Sequence, residues 1–284
     1  MSLHDGFLFS QSNLQDYVDC QRRFQLHHIL HQAWPAVEAE PYLENEQLMD
    51  KGARFHKIIR QHLTGVAEEL ISSSLGADEQ LHQWWSNYLQ SRQGGSLQMI
   101  MGQDRQHFEE ITLSVPIDKF RLIAKYDLLT VQPGGKLLII DWKTSQNRPK
   151  RSWLANRLQS HVYPFVLAGA AGAILGGTPP DPAQIEMIYW FANDPEQPER
   201  FGYNPANYAE DGRTISSLIA DIDGKTDAIF PLTPQIKRCL FCTYRSLCNR
   251  GVKAGDLEHL EEWMEAESAE EVRLDIDQIG EIEL

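Results

Sequence analysis

The first third of the chain carries apolar residues at helical spacing. Over 12–31, Leu14, Tyr17, Val18 and Phe24 share a face, and Ser12 with Gln15 three residues on resembles a capping box. Over 45–72, Leu48, Gly52, Phe55, Ile59 and Leu63 form one stripe. Over 78–92, Leu81, Trp84, Trp85, Tyr88 and Leu89 form another, which Gly94-Gly95 ends. The pattern then shortens. Residues 110–117, 120–131 and 136–142 are rich in Ile, Leu and Val and predict strands, with turns near Asp118-Lys119 and at Pro133-Gly134-Gly135. These strands make an antiparallel three-stranded unit. A helix follows over 152–170, then a Gly/Pro-rich stretch over 172–182, then a fourth strand, IEMIYWFA, over 185–192. A helix over 208–222, a cysteine-bearing loop and a last helix over 256–268 complete the chain. No internal repeat is present. The predicted fold is α/β: antiparallel βββ, then α, then β, with a helical N-terminal part over 10–95, a core over about 105–195 and a lobe joining Cys20 to 230–252. Residues 1–255 read as a single domain and 256–284 as an acidic helix and tail.

Composition adds limits. With 42% hydrophobic and 10% aromatic residues the chain has enough apolar material for a core. No apolar run approaches the ~20 residues of a membrane span, and the start MSLHDGFLFSQ lacks the regions of a signal peptide. The expectation is a soluble cytoplasmic protein with no membrane partner. The net charge of −14 looks hostile to nucleic acid but is uneven. Residues 256–284 hold twelve acidic groups and one Arg, leaving −3 for the rest. That segment reads as a solvated helix with a frayed end or as an acidic partner-binding or self-masking tail. Two stretches hold basic residues and no acid: Lys143, Arg148, Lys150, Arg151 and Arg157, then Lys237, Arg238, Arg245, Arg250 and Lys253. Either is a candidate phosphate-binding surface.

The candidate chemistry begins at KLLIIDWKTS, 136–145. Side chains on a strand alternate, so Asp141 and Lys143 share a face and Trp142 takes the other. Alone, D-x-K is more often a plain ion pair. Asp127, however, falls near the middle of the preceding predicted strand, where burying a carboxylate is costly unless it is paired. A hairpin would set it beside Asp141. Two converging carboxylates repel unless a cation lies between them, and hard oxygen ligands suit Mg²⁺ or Mn²⁺. A lysine beside such an ion can orient water and stabilise developing charge, which is chemistry for hydrolysing a phosphodiester. His56 in GARFHKIIRQHL, and Gln159 and Tyr163 four apart in RLQSHVYPFVLA, extend the candidate set.

The order GARFH, AKYDLL, IIDWKTS, LQSHVY resembles the RecB-type nucleases of the PD-(D/E)XK superfamily, a group that includes CRISPR-associated exonucleases and nuclease parts of recombination enzymes. The resemblance runs from about residue 10 to 250. It implies a restriction-endonuclease-like core in which His56, Asp127, Asp141 and the Trp142 carbonyl ligate the divalent metal. Lys143 is then the catalytic lysine, with Asp127 and Asp141 at the reacting centre. Gln159 and Tyr163 would support the site and contact DNA alongside Arg148, Lys150 and Arg151. Ala124 stands where a glycine often precedes the metal aspartate.

Cys239-x2-Cys242-x5-Cys248, with Cys20 far upstream, reads as a metal site, and spacing alone admits zinc or an iron–sulfur cluster. His27, His28 and His31 are alternative zinc ligands or an exposed helix face. The resemblance implies a [4Fe–4S] cluster on Cys20, Cys239, Cys242 and Cys248 that ties the two ends of the chain together. Interleaved basic residues with Phe241 and Tyr244 offer a DNA surface there. The expected function is metal-dependent exonucleolytic cleavage of single-stranded DNA ends in CRISPR adaptation or DNA recombination and repair. The alternative is a catalytically weak DNA-binding or scaffold subunit. No helicase motif is present, so a helicase or CRISPR-adaptation protein is an expected partner.

Overall fold

The computed structural model describes residues 3–4, 6–33, 42–102 and 105–251. The predicted helix over 256–268 and the acidic tail lie outside them.

The chain begins with β1 (Leu8–Ser10), α1 (Gln11–Asp19), α2 (Gln21–Phe24) and a π-helical turn (Gln25–Ile29). The capping box sits two residues earlier than predicted. Ser10 Oγ accepts from Asn13 N–H, and Asn13 Oδ1 accepts from Ser10 N–H. Gln15 is buried instead and donates to Asp19. The single helix predicted over 12–31 is interrupted by Cys20, whose backbone is extended. Then come α3 (Tyr42–Leu63), α4 (Glu68–Ser74), α5 (Glu79–Gln93) and α6 (Ser96–Ile100). The strands β2 (Gln106–Glu109), β3 (Thr112–Ile117), β4 (Phe120–Lys125), β5 (Leu128–Val131) and β6 (Leu137–Lys143) follow. They lead through α7 (Arg151–Asn156) and α8 (Leu158–Ala170) to β7 (Ile185–Phe191), β8 (Asp194–Gly202) and α9 (Pro205–Asp223). The helix predicted over 152–170 breaks at Arg157, again in an extended conformation.

The predicted three-stranded unit is split. The first two predicted strands, lengthened by the unpredicted β2, form one long hairpin that breaks on both sides at the same level, between β2 and β3 at Glu110-Ile111 and between β4 and β5 at Tyr126-Asp127. Tyr126 N–H still reaches Ile111 O, and Glu110 N–H reaches Asp127 O. Glu110 takes a left-handed φ of 46°, which redirects its strand. The outer halves join β1 in a sheet of order β1-β4-β3, and the inner halves join a sheet of order β2-β5-β6-β7-β8. Asp127 therefore stands at a strand break rather than mid-strand. Within the larger sheet β5 and β6 are antiparallel, β6 and β7 are parallel through the α7–α8 crossover, and β7 and β8 are antiparallel. β8 was not predicted, because DPEQPERFG carries no apolar alternation.

Both faces of this sheet are covered. Leu137, Ile139, Ile185 and Met187 face the core under α1, α8 and α9. Leu138, Ile140, Trp142, Ile188 and Trp190 face the core under α3, α4 and α5. The predicted stripe of α5 is borne out, with Leu81, Trp84, Trp85 and Tyr88 all buried. No helix among the described residues is long and apolar enough to cross a membrane.

The exposed edge is fastened by charge. Glu186 of β7 takes two hydrogen bonds from Arg200 of β8, at 2.9 and 2.8 Å, and lies 2.6 Å from Lys136. Arg200's bonds, opposed by burial and helped by Lys136, hold the Glu186 carboxyl down from 4.5 to about 2. A lowered carboxyl stabilises the fold above its ordinary titration and loses that contribution as pH falls toward the folded value. Arg200 is 39% exposed, so solvent screening reduces the pair's worth to about 1 kcal/mol. Glu186→Gln is expected to lower stability in urea by that amount at pH 7. The difference should shrink between pH 4.5 and 2; a constant difference would contradict the assignment.

Candidate active site

The break in the hairpin brings Asp127 to the end of β6. Its Oδ2 accepts from Trp142 N–H at 3.0 Å, and its Oδ1 lies 3.2 Å from His56 Nδ1 on α3. Asp141 lies on the α8 face of β6, almost fully buried. Lys143 returns to the same face two residues on, its Nζ 2.9 Å from Asp141 Oδ2. Gln159, on the first turn of α8, bridges the two. Its Nε2 donates to Asp141 Oδ1 at 2.6 Å, and its Oε1 accepts from Lys143 Nζ at 3.0 Å. His56, Asp127, Asp141, Lys143 and Gln159 thus converge from α3, the hairpin break, β6 and α8. Tyr163 packs its ring on Tyr126, the residue before Asp127, at 5.1 Å, and its carbonyl accepts from the Tyr126 hydroxyl. It braces the break.

The electrostatics depart from those of ordinary surface groups. Burial pulls the His56 imidazole down, but the charge and hydrogen bond of Asp127, with Asp141 behind, leave it raised. Burial pushes Asp127 up, yet His56, the Trp142 N–H and Lys143 hold it below the usual carboxylate range. Asp127 is thus kept ionised, with His56 and Lys143 as its nearby cations. His56 Nε2 is buried and has no hydrogen-bond partner among the described residues. His56, with its unpartnered buried nitrogen, and the carboxylates of Asp127 and Asp141 could hold a divalent metal if drawn together, their donor atoms not all lying within 4.8 Å of one another as they stand, and Gln159 is the outer support such ligands need.

One contributor escapes sequence reading. Tyr189 of β7 pairs in register with Asp141, and Lys143 Nζ lies 5.3 Å from its ring centroid. Ser160 of α8 holds the Tyr189 hydroxyl at 2.7 Å. Only the parallel register of β6 and β7 reveals this.

The basic residues predicted beside the site are largely engaged. Arg148 bonds Asp194 and lies 2.8 Å from Glu199; Arg151 meets Glu199 at 2.5 Å and Arg200 O at 2.7 Å. Both sets of acids belong to the unpredicted β8. Arg157 is buried, with its guanidinium over Trp153. Lys150 is exposed.

The second candidate centre joins the chain ends. Cys20, Cys239, Cys242 and Cys248 line one small cavity together with Arg23, Arg238 and Arg245. Arg22 N–H binds Pro231 O, Gln25 Nε2 binds Ala228 O, and Tyr244 hydroxyl binds Gln32 O across it. Burial first, then neighbouring sulfurs, push the Cys239, Cys242 and Cys248 thiols up, Cys242 to about 11. Packed thiols of this kind become thiolates when a cation neutralises them. Arg23 Nε is buried with no hydrogen-bond partner among the described residues. Arg238 and Arg245 are buried against the cavity, and the Tyr244 ring is buried too, whereas Lys237 is exposed. The Phe241 side chain lies outside those described.

The family model of the PD-(D/E)XK nuclease superfamily matches residues 8–249. No curated protein matches the sequence. Among solved structures, one from Eubacterium rectale named as a candidate exonuclease is 8% identical, with 76% of this chain and 79% of that chain covered and a TM-score of 0.49. A second, SSO0001, is 12% identical, with 87% of each chain covered and a TM-score of 0.37.

Proposed function

The chain belongs to the PD-(D/E)XK nuclease superfamily, phosphodiester hydrolases that use divalent metals, and we propose that it is a Mg²⁺- or Mn²⁺-dependent exonuclease acting on single-stranded DNA ends. The observation that supports this most is the completeness of the site. Lys143 is held by Asp141 and Gln159 beside Asp127 and the unpartnered His56 Nε2. A scaffold released from catalysis has no use for this arrangement.

His56, Asp127, Asp141 and the Trp142 carbonyl would hold the ion, which when bound supplies positive charge against the scissile phosphate. The rest falls to side chains. Lys143 sets an ammonium where negative charge develops and orients the attacking water. Gln159 keeps Lys143 and Asp141 in register, so Gln159→Ala is expected to lower kcat about 10–100-fold with KM little changed. Steady-state kinetics alongside circular dichroism measures this; unchanged kcat would remove Gln159 from the site.

The four cysteines would carry a [4Fe–4S] cluster. What supports this is that the four thiols line one cavity, with Arg23, Arg238 and Arg245 around them. The chain lacks helicase motifs, so in CRISPR adaptation or recombination and repair a partner would unwind the duplex. Linear single strands should be degraded and covalently closed single-stranded circles spared. Equal loss of the circles would replace the exonuclease reading with an endonuclease.

A further inference from the structure

Away from the catalytic residues, α1 and the π-helical turn bring three metal-ligating side chains to one point. Asp16 Oδ2 lies 3.2 Å from His27 Nδ1 and 2.7 Å from His28 Nε2. All three donor atoms fall within 4.8 Å of one another. Tetrahedral ligands on an ion with bonds of ~2.0–2.2 Å sit ~3.4 Å apart, close to the Asp16–His27 separation, and the shorter Asp16–His28 contact needs to open by only a fraction of an ångström.

Consecutive residues seldom aim at one partner from a helix. In an α-helix they diverge by about 100°. The i→i+5 turn over Gln25–Ile29 is wider, so His27 and His28 splay less. Their rings lie 4.2 Å apart at 34°, both facing Asp16. Arg23 takes the other carboxylate oxygen, Oδ1, at 2.5 Å and also reaches Asp19 at 2.8 Å. It fixes the carboxylate's orientation as an outer-shell partner does and leaves Oδ2 turned to the imidazoles. The His27 side chain is 59% exposed while Asp16 and His28 are mostly buried, so the point is anchored on one side and open to solvent on the other.

We propose that Asp16, His27 and His28 form a second divalent-metal site, distinct from the one at His56, Asp127 and Asp141. Two imidazoles with one carboxylate suit Zn²⁺, Co²⁺ or Ni²⁺ rather than Mg²⁺. Such an ion clamps the π-helical turn to α1 on either side of Cys20. Arg23, which orients Asp16, also lines the four-cysteine cavity.

The test is a titration of Co²⁺ into anaerobically purified Asp141→Asn protein, in which the catalytic ligand set is disabled. Nitrogen and oxygen ligands give weak visible bands, whereas thiolates give intense charge-transfer absorption. One equivalent bound with weak bands is expected, and His27→Ala with His28→Ala should weaken it at least tenfold. If that pair perturbs folding, His28→Gln, which still donates to Asp16, serves instead and should show the same loss. Unchanged Co²⁺ affinity in a folded variant, or binding seen only as thiolate charge transfer, overturns the site.

Discussion

Replacing Lys143 by alanine is expected to lower DNA cleavage by about 10³-fold while DNA binding and iron content hold. The ammonium is fixed from three sides, by Asp141 at 2.9 Å, Gln159 at 3.0 Å and the Tyr189 ring. A group so fixed costs little reorganisation when negative charge develops, and removing one such stabiliser costs about 10²–10³ in kcat. Asp141→Ala should be at least as damaging, because it removes a proposed metal ligand and the partner of both Lys143 and Gln159. Lys143→Arg should not rescue, since a planar guanidinium cannot occupy the compact place of an ammonium. Circular dichroism and DNA binding separate lost chemistry from lost fold, because unpairing the buried Asp141 also costs stability. Full activity in either alanine variant would sink the site assignment.

The second large effect is expected at the four-cysteine cavity. Cys20 and Cys239 are 219 positions apart, 239 less 20. Joining them through a shared cofactor restrains a very long loop in the unfolded chain, worth about 5 kcal/mol by chain-entropy reasoning. The first helices are anchored in the core by Leu14, Tyr17 and Phe24, but the loop 228–248 has few apolar anchors beyond Phe230. Ile229, Leu232 and Ile236 are exposed, and the join rests on scattered polar bonds. Cys242→Ala is therefore expected to lose iron and lower Tm by about 10 °C or more together. A well-folded, iron-replete variant would remove Cys242 from the ligand set. One zinc per chain in the wild type, in place of iron, would correct the cofactor.

Much of this was legible in residue order. The D-x-K end of β6 reads directly from strand alternation, and Asp141 and Lys143 do share a face with Trp142 on the other. The stripes of α3 and α5 report their buried faces because a helix repeats its pattern over many turns. What escaped was non-local. Asp127 itself is the one local sign of the break in AKYDLLTV, and the bend is set by which sheet each half joins. β8 escaped because it is an edge strand, held by ion pairs rather than by apolar alternation. Its acids pair with Arg148 and Arg151, so that basic run carries less unmatched charge than the sequence alone suggests, while Lys150 stays exposed. The second basic run has the same lesson, with Arg238 and Arg245 turned inward to the cysteines. Charge runs show where cations are in the chain, not whether an acid from elsewhere meets them.

The most direct measurement is degradation of end-labelled single-stranded DNA by anaerobically purified protein with Mn²⁺, with Mg²⁺ and with chelator, beside Lys143→Ala. The account predicts metal-dependent loss of DNA that disappears with chelator and with the variant. No cleavage by an iron-replete wild type, or cleavage that persists in Lys143→Ala, would contradict it.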